Sequence, residues 1–210
     1  MSAVRCAICL MLLPVAAAPA KDGFTDPRDD RSYGVVEVAG LQWMTENLGY
    51  AARNSVCYDH LEENCETLGR LYPWEIALQA CPDGWHLATD YEWQAVELAL
   101  GVPFEELAAN QERGEPAGER IKLSGGHALK FPYAGYSTPE GEFRGKDETA
   151  AIWTASESDF NHAWHRDLDV ERTGIYRSRV YKPWRLSVRC VQNHLEPASG
   201  ESESEAAASR

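Results

Sequence analysis

Chemistry in this chain has three places to start: a His/Asp strand, an acidic run and a set of aromatic rings. In "HAWHRDLD", residues 162–169, strand alternation puts His165, Asp167 and Asp169 on one face. An imidazole and two carboxylates are the donor types that ligate a divalent metal. One strand seldom completes such a site, so a polar outer sheet face is the plainer expectation for the three. Asp59, Glu62, Glu63 and Glu66 offer oxygens for calcium, which needs many of them converging. Spread along one segment they read instead as a solvated face. Ser156, His162 and Asp167 supply triad residue types but lack the strained Gly-x-Ser-x-Gly context that exposes a nucleophile. The expectation is therefore no catalytic residue, no metal and no cofactor. The rings divide. Trp43, Trp74, Trp85, Trp93 and Trp153 fall at apolar positions of the pattern and read as core. Tyr133, Tyr136, Tyr176, Tyr181 and Trp184 crowd a Gly- and Pro-punctuated second half. From these and Trp164, a shallow ligand site is expected to draw on Tyr136, Trp164, Tyr181 and Trp184, where a ring could stack on a sugar face.

The ends and the composition set the context. "MSAVRCAICLMLLPVAAAPA" has one Arg, an apolar run and an A-x-A-like site, and reads as a signal peptide over residues 1–20, cleaved near Ala20. The run is too short to span a bilayer. The chain after Ala20 holds Cys57, Cys65, Cys81 and Cys190, an even set that in an exported protein implies two disulfides and leaves three connectivities open. The net charge of -13 argues against nucleic acid and anionic membrane surfaces as partners. Residues 21–30 read as a loose arm. The Ser/Glu/Ala-rich stretch over residues 193–210 has little to bury and reads as a disordered acidic tail.

The elements that would position these groups are signalled locally. "YGVVEVAGLQWM" alternates on either side of Ala39-Gly40 and reads as a hairpin. Residues 46–72 show no clean period and read as a loop closed by Cys57–Cys65. Pro73 opens a helix whose stripe runs through Trp74, Ala77, Leu78 and Cys81 before Pro82 stops it. Thr89 and Glu92 form a capping box for a second helix carrying Trp93, Val96, Glu97 and Leu100 on one stripe. "PFEELAANQE" reads as a short amphipathic piece. From Lys122 onward short β segments take over: "ALKFPYAGY", "AAIWTAS", "AWHRDLDV", "GIYRSRVY" and "RLSVRCV", with "STPEGEFRGKDE" as a turn-rich link. Early helices and late strands make an α+β domain.

The blocks "GLQWMTENL", "GRLYPWEIALQACPDGWHLATDYEW", "FPYAGY", "IWTASES" and "LSVRC" stand in the order seen in the Fibrobacter succinogenes major paralogous domain. The chain resembles that family over residues 31–192. The family in turn is similar to the C-type-lectin-like superfamily, which includes the formylglycine-generating oxidases. The resemblance implies two helices packed on a twisted antiparallel sheet, a loop-rich second half, and domain ends that lie together. It also implies that Cys81 at the end of the first helix pairs with Cys190 on the last strand. The oxidases of the superfamily use a close cysteine pair upstream of the terminal Arg-Cys element, and no cysteine lies between Cys81 and Cys190. The Glu-Pro-Asn-like loop and Trp-Asn-Asp element of calcium-dependent lectins are also absent, since Lys182 in "KPW" cannot ligate calcium. The expectation is an exported, monomeric, non-catalytic binding or adhesion protein of the periplasm or cell surface. Its candidate partners are a polysaccharide or another surface protein. A diverged oxidase and a ligand-free structural protein are the alternatives.

Overall fold

Ala39 and Gly40 both take positive φ, 54° and 76°. Two consecutive left-handed residues give the tight turn whose twist matches antiparallel strands, and the hairpin expected from the alternation forms around them. The computed structural model describes residues 23–122, 125, 127 and 129–193. The expected signal peptide and all but the first residue of the expected tail lie outside that range.

Along the chain come β1 (Gly23–Thr25), β2 (Ser32–Val38), β3 (Leu41–Met44), α1 (Glu62–Leu68), β4 (Leu71–Pro73) and α2 (Trp74–Ala77). Then follow β5 (Trp85–Leu87), α3 (Asp90–Ala99), β6 (Glu112–Arg113), α4 (Ala117–Ile121), β7 (Ala134–Ser137) and β8 (Phe143–Lys146). The chain continues with β9 (Thr149–Glu157), β10 (His162–Asp169), β11 (Ile175–Tyr181), β12 (Arg185–Ser187) and β13 (Cys190–Gln192). One sheet has the order β1-β2-β3-β13-β5; the other runs β4-β12-β7-β9-β10-β11-β6, with β8 paired to β7. The architecture is α+β with mostly strands. It differs from the expected single antiparallel sheet in two ways: there are two sheets, and β9 runs parallel to both β7 and β12. The second half is built of strands rather than loops, because "STPEGEFRGKDE" is not only a turn but contributes β8, paired through Tyr136↔Arg144.

α3 is the helix that organises the interior. Its capping box is formed: Thr89 Oγ1 accepts from Glu92 N–H and Glu92 Oε2 accepts from Thr89 N–H. Trp93 and Val96 then face a core with Trp43, Phe131, Ile152, Leu168, Ile175 and Val191. A second core holds Tyr33, Tyr72, Trp74, Trp85, Trp153 and Leu186. All five tryptophans expected inside are buried. Both cysteine pairings form, Cys57–Cys65 and Cys81–Cys190, with Cα atoms 5.1 and 5.9 Å apart.

Several local expectations give way to tertiary contacts. Residues 46–72 are not all loop, since the acidic run seeds α1, whose buried face is Asn64 and Cys65. The helix after Pro73 ends at Ala77, because Pro73 itself pairs with Arg185 as the last residue of β4 and leaves little chain before the Pro82 turn. The piece after Pro103 is only a 3-10 turn, Phe104–Glu106, with Phe104 77% exposed. The closing "RLSVRCV" divides into β12 and β13, which sit in different sheets. Residues 23–30 are ordered rather than loose: β1 pairs with β2, and Asp26 is fully buried, accepting from Arg28 N–H, Nε–H and Nη2–H.

Candidate functional site

Alternation on the β10–β11 ribbon decides where the candidate residues go. Ala163↔Val180, His165↔Ser178 and Asp167↔Tyr176 share one face; His162↔Tyr181, Trp164↔Arg179 and Arg166↔Arg177 share the other. On the first face, His165, Asp167 and Val180 line a recess of about 150 Å³ together with Tyr136 from β7, Ala151 from β9, Leu186 from β12 and Trp184 from the turn before it. Tyr136 and Trp184 are half-buried and stack, centroids 5.3 Å apart and planes 28° apart. Such an offset pair contributes about 0.5–1.5 kcal/mol beyond its area. His165 is buried, its ring edge-on to Trp153 at 6.2 Å. His165 Nε2 lies 2.9 Å from Asp167 Oδ2, and Nδ1 is buried without a partner.

Of the four expected ligand residues, the structure brings Tyr136 and Trp184 together and separates the other two. Trp164 lies on the opposite face, its ring covered by the Arg177 guanidinium at 3.4 Å. Tyr181 is 46% exposed on that same face beside His162. Of the three weak metal candidates, His165 and Asp167 meet. Asp169, at the end of β10, turns its Oδ1 to Glu171 N–H at 2.9 Å. One nitrogen and one carboxylate do not make a first coordination sphere. Among the described residues the one cluster with metal-holding spacing is Cys57, Glu62 and Cys65, whose sulfurs are bonded to each other. A larger groove, about 630 Å³, opens beside β1 and β2, but it joins no titratable pair to stacked rings.

The charged core beneath α3 has no counterpart in the sequence-based expectations. Asp90 accepts from Arg166 Nη1–H at 2.7 Å and from Arg177 Nε–H and Nη2–H at 2.9 Å each. Glu97 accepts from Arg166 Nε–H at 2.6 Å and from Arg113 Nη2–H at 2.6 Å. Burial alone would raise the Asp90 carboxyl, but the guanidiniums of Arg177 and Arg166 hold it down to about 2. Glu97 in the middle of an apolar stripe is the available signal: a fully buried acid needs cations. Another buried cation, Arg189, donates to the carbonyls of Met44 and Lys130 and to Asn47 Oδ1, and lies 4.2 Å over Phe131. Burial lowers its guanidinium to about 9. His86 stands in β5 and bridges Glu92 Oε1 at 2.8 Å and Asn193 Oδ1 at 2.6 Å. Its bond to Glu92 raises the imidazole above its ordinary value against the opposing effect of burial.

Two disulfides fit an oxidising compartment, and no helix among the described residues is long and apolar enough to cross a membrane. No characterised protein and no solved structure matches the chain. The family model described as the Fibrobacter succinogenes major domain matches residues 36–192. That span runs from β2 to the end of β13 and includes both disulfides, the buried charges under α3 and every residue of the recess, so the chain belongs to the Fibrobacter succinogenes major domain family.

Proposed function

We propose that this protein is an exported, non-catalytic binding module that recognises polysaccharide at the cell surface. The observation that carries the reading is the Tyr136–Trp184 stack lining a recess whose other wall is a carboxylate with an oxygen to spare. Aromatic faces take the C–H face of a sugar ring, and a carboxylate takes its hydroxyls. The recess holds about 150 Å³, well below the roughly 300–1,000 Å³ of sites for drug-sized ligands. It suits one residue of a longer chain. The C-type-lectin-like reading draws support from the pairing of β3 with β13 near the two ends of the domain and from the Cys81–Cys190 tie. Export draws support from the disulfides and from the signal-like first twenty residues.

A glycan array, run with and without chelator, identifies the bound sugars and their metal requirement. Trp184→Ala should then abolish binding to each glycan recognised while the protein still folds, because Trp184 is half-buried and packs only on the edge of the second core. Undiminished binding by Trp184→Ala would overturn the reading.

A further inference from the structure

Building on the saccharide reading, we propose that the recess is selective for an amino sugar: one six-membered ring carrying a primary ammonium group, with its charge seated on Asp167. The chemistry of the lining points there. Ala151, Val180 and Leu186 are aliphatic, Tyr136 and Trp184 offer ring faces, and Asp167 is the carboxylate. No lysine or arginine is among these lining residues. Arg144, opposite Tyr136 in register, is held by Glu142 at 2.6 Å.

Asp167 keeps its acceptor capacity. Its Oδ2 takes the His165 Nε2–H, and its Oδ1 receives no hydrogen bond from the described residues. The geometry of His165 favours the ring form with the proton on Nε2. Nδ1 is buried without a partner, so the ring's one hydrogen bond is to Asp167. Asp167 Oδ1 is therefore the open acceptor of the pair. An anion walled by apolar groups and aromatic faces favours a cationic donor over a neutral hydroxyl on two counts. Charge-assisted hydrogen bonds are roughly twice as strong as neutral ones. Ring faces attract an ammonium and gain nothing comparable from a hydroxyl. The space available, about 150 Å³, equals about five waters. That admits one ring with its substituents, and an N-acetyl group would add bulk while removing the charge.

The test uses three β-1,4-linked glucan tetrasaccharides that differ only at C2: amino, acetamido and hydroxyl. Calorimetry on the intact protein should show the amino ligand binding roughly ten-fold or more tightly than the hydroxyl one. That preference should shrink but persist in about 1 M salt, because a partly buried pair is screened less than an exposed one. Asp167→Asn, near-isosteric and still able to accept from His165, should lose the preference, the amino ligand falling to the affinity of the hydroxyl one. Lysine amide, an ammonium without a sugar ring, should bind far more weakly than the amino tetrasaccharide. Equal affinity for the amino and hydroxyl ligands, or a preference that survives Asp167→Asn, overturns the proposal. So does lysine amide binding as tightly as the amino sugar. If Asp167→Asn fails to fold, the wild-type comparison of the three ligands still decides. Binding of the hydroxyl ligand alone, abolished by Trp184→Ala, overturns the amino-sugar selectivity but keeps the saccharide reading. Binding of none of the three overturns the amino-sugar proposal, and an array on which no glycan binds overturns the saccharide reading as well.

Discussion

Replacing Asp90 by Asn isolates the charge that fastens α3 to the β10–β11 ribbon. Asp90 accepts three bonds from Arg166 and Arg177, and Glu97 accepts from Arg166 and Arg113. All five side chains are buried. Asparagine keeps the shape but leaves the buried guanidiniums one charge short, a change that costs about 3–5 kcal/mol when a buried pair is broken from one side. The acid dependence follows from the carboxyl itself, which stands at about 2 in the folded protein against an ordinary value of 3.8. A shift of that size corresponds to about 2 kcal/mol, allowing for the solvent that still reaches the carboxylate. Because the folded value is the lower one, this stabilisation is complete above the unfolded value and fades as pH falls toward the folded one. Urea unfolding of wild type and Asp90→Asn from pH 7 to about pH 2.5 should show a gap that is constant down to about pH 5 and then closes by more than 1 kcal/mol. A gap that stays constant to the acid end would refute the claim that Asp90 is held ionised by Arg166 and Arg177. A gap near zero at pH 7 would refute the structural role of the network altogether.

Other consequences can be tested in the same way. Cys190→Ser opens a disulfide spanning 109 residues and should lower stability by about 5 kcal/mol in the chain-entropy model. The parallel change Cys65→Ser opens a separation of 8 and should cost about 2–3 kcal/mol on the same scale; equal losses would count against that entropic ordering. His86 has a raised imidazole value through Glu92, so its stabilisation is full below the ordinary histidine value and is lost as pH rises through the raised one. Thermal melts of wild type should show this decline in stability and His86→Gln should not; identical pH profiles would show that the bridge to Glu92 and Asn193 adds nothing.

The hairpin, the capping box and the five buried tryptophans are legible in the sequence because each is written locally, in a turn dipeptide, a four-residue cap or an apolar period. The Cys81–Cys190 pairing comes from the family resemblance rather than from spacing, since 109 residues separate the two. The features that stay hidden depend on partners distant in the chain. Arg166 reads as one residue of an alternating strand, yet it is fully buried because Asp90 and Glu97, 76 and 69 residues earlier, meet it. The recess is half visible. Tyr136 and Trp184 stand out as exposed-looking rings, and His165 and Asp167 as alternating polar groups, but nothing in the sequence says that the two pairs share a cavity. Trp164 groups with them on composition alone, whereas strand parity across the β10–β11 ribbon, which sends it to the other face, is set by register.

A nitrogen-resolved NMR titration with a glycan selected from the array tests the binding site directly, because the Trp184 and Trp164 indole N–H signals report on opposite faces of one ribbon. Binding in the recess should move the Trp184 indole signal and the His165 ring signals while leaving Trp164, under Arg177 at 3.4 Å, unmoved. A titration that shifts Trp164 and Tyr181 and leaves Trp184 in place would contradict it and put the ligand on the opposite face.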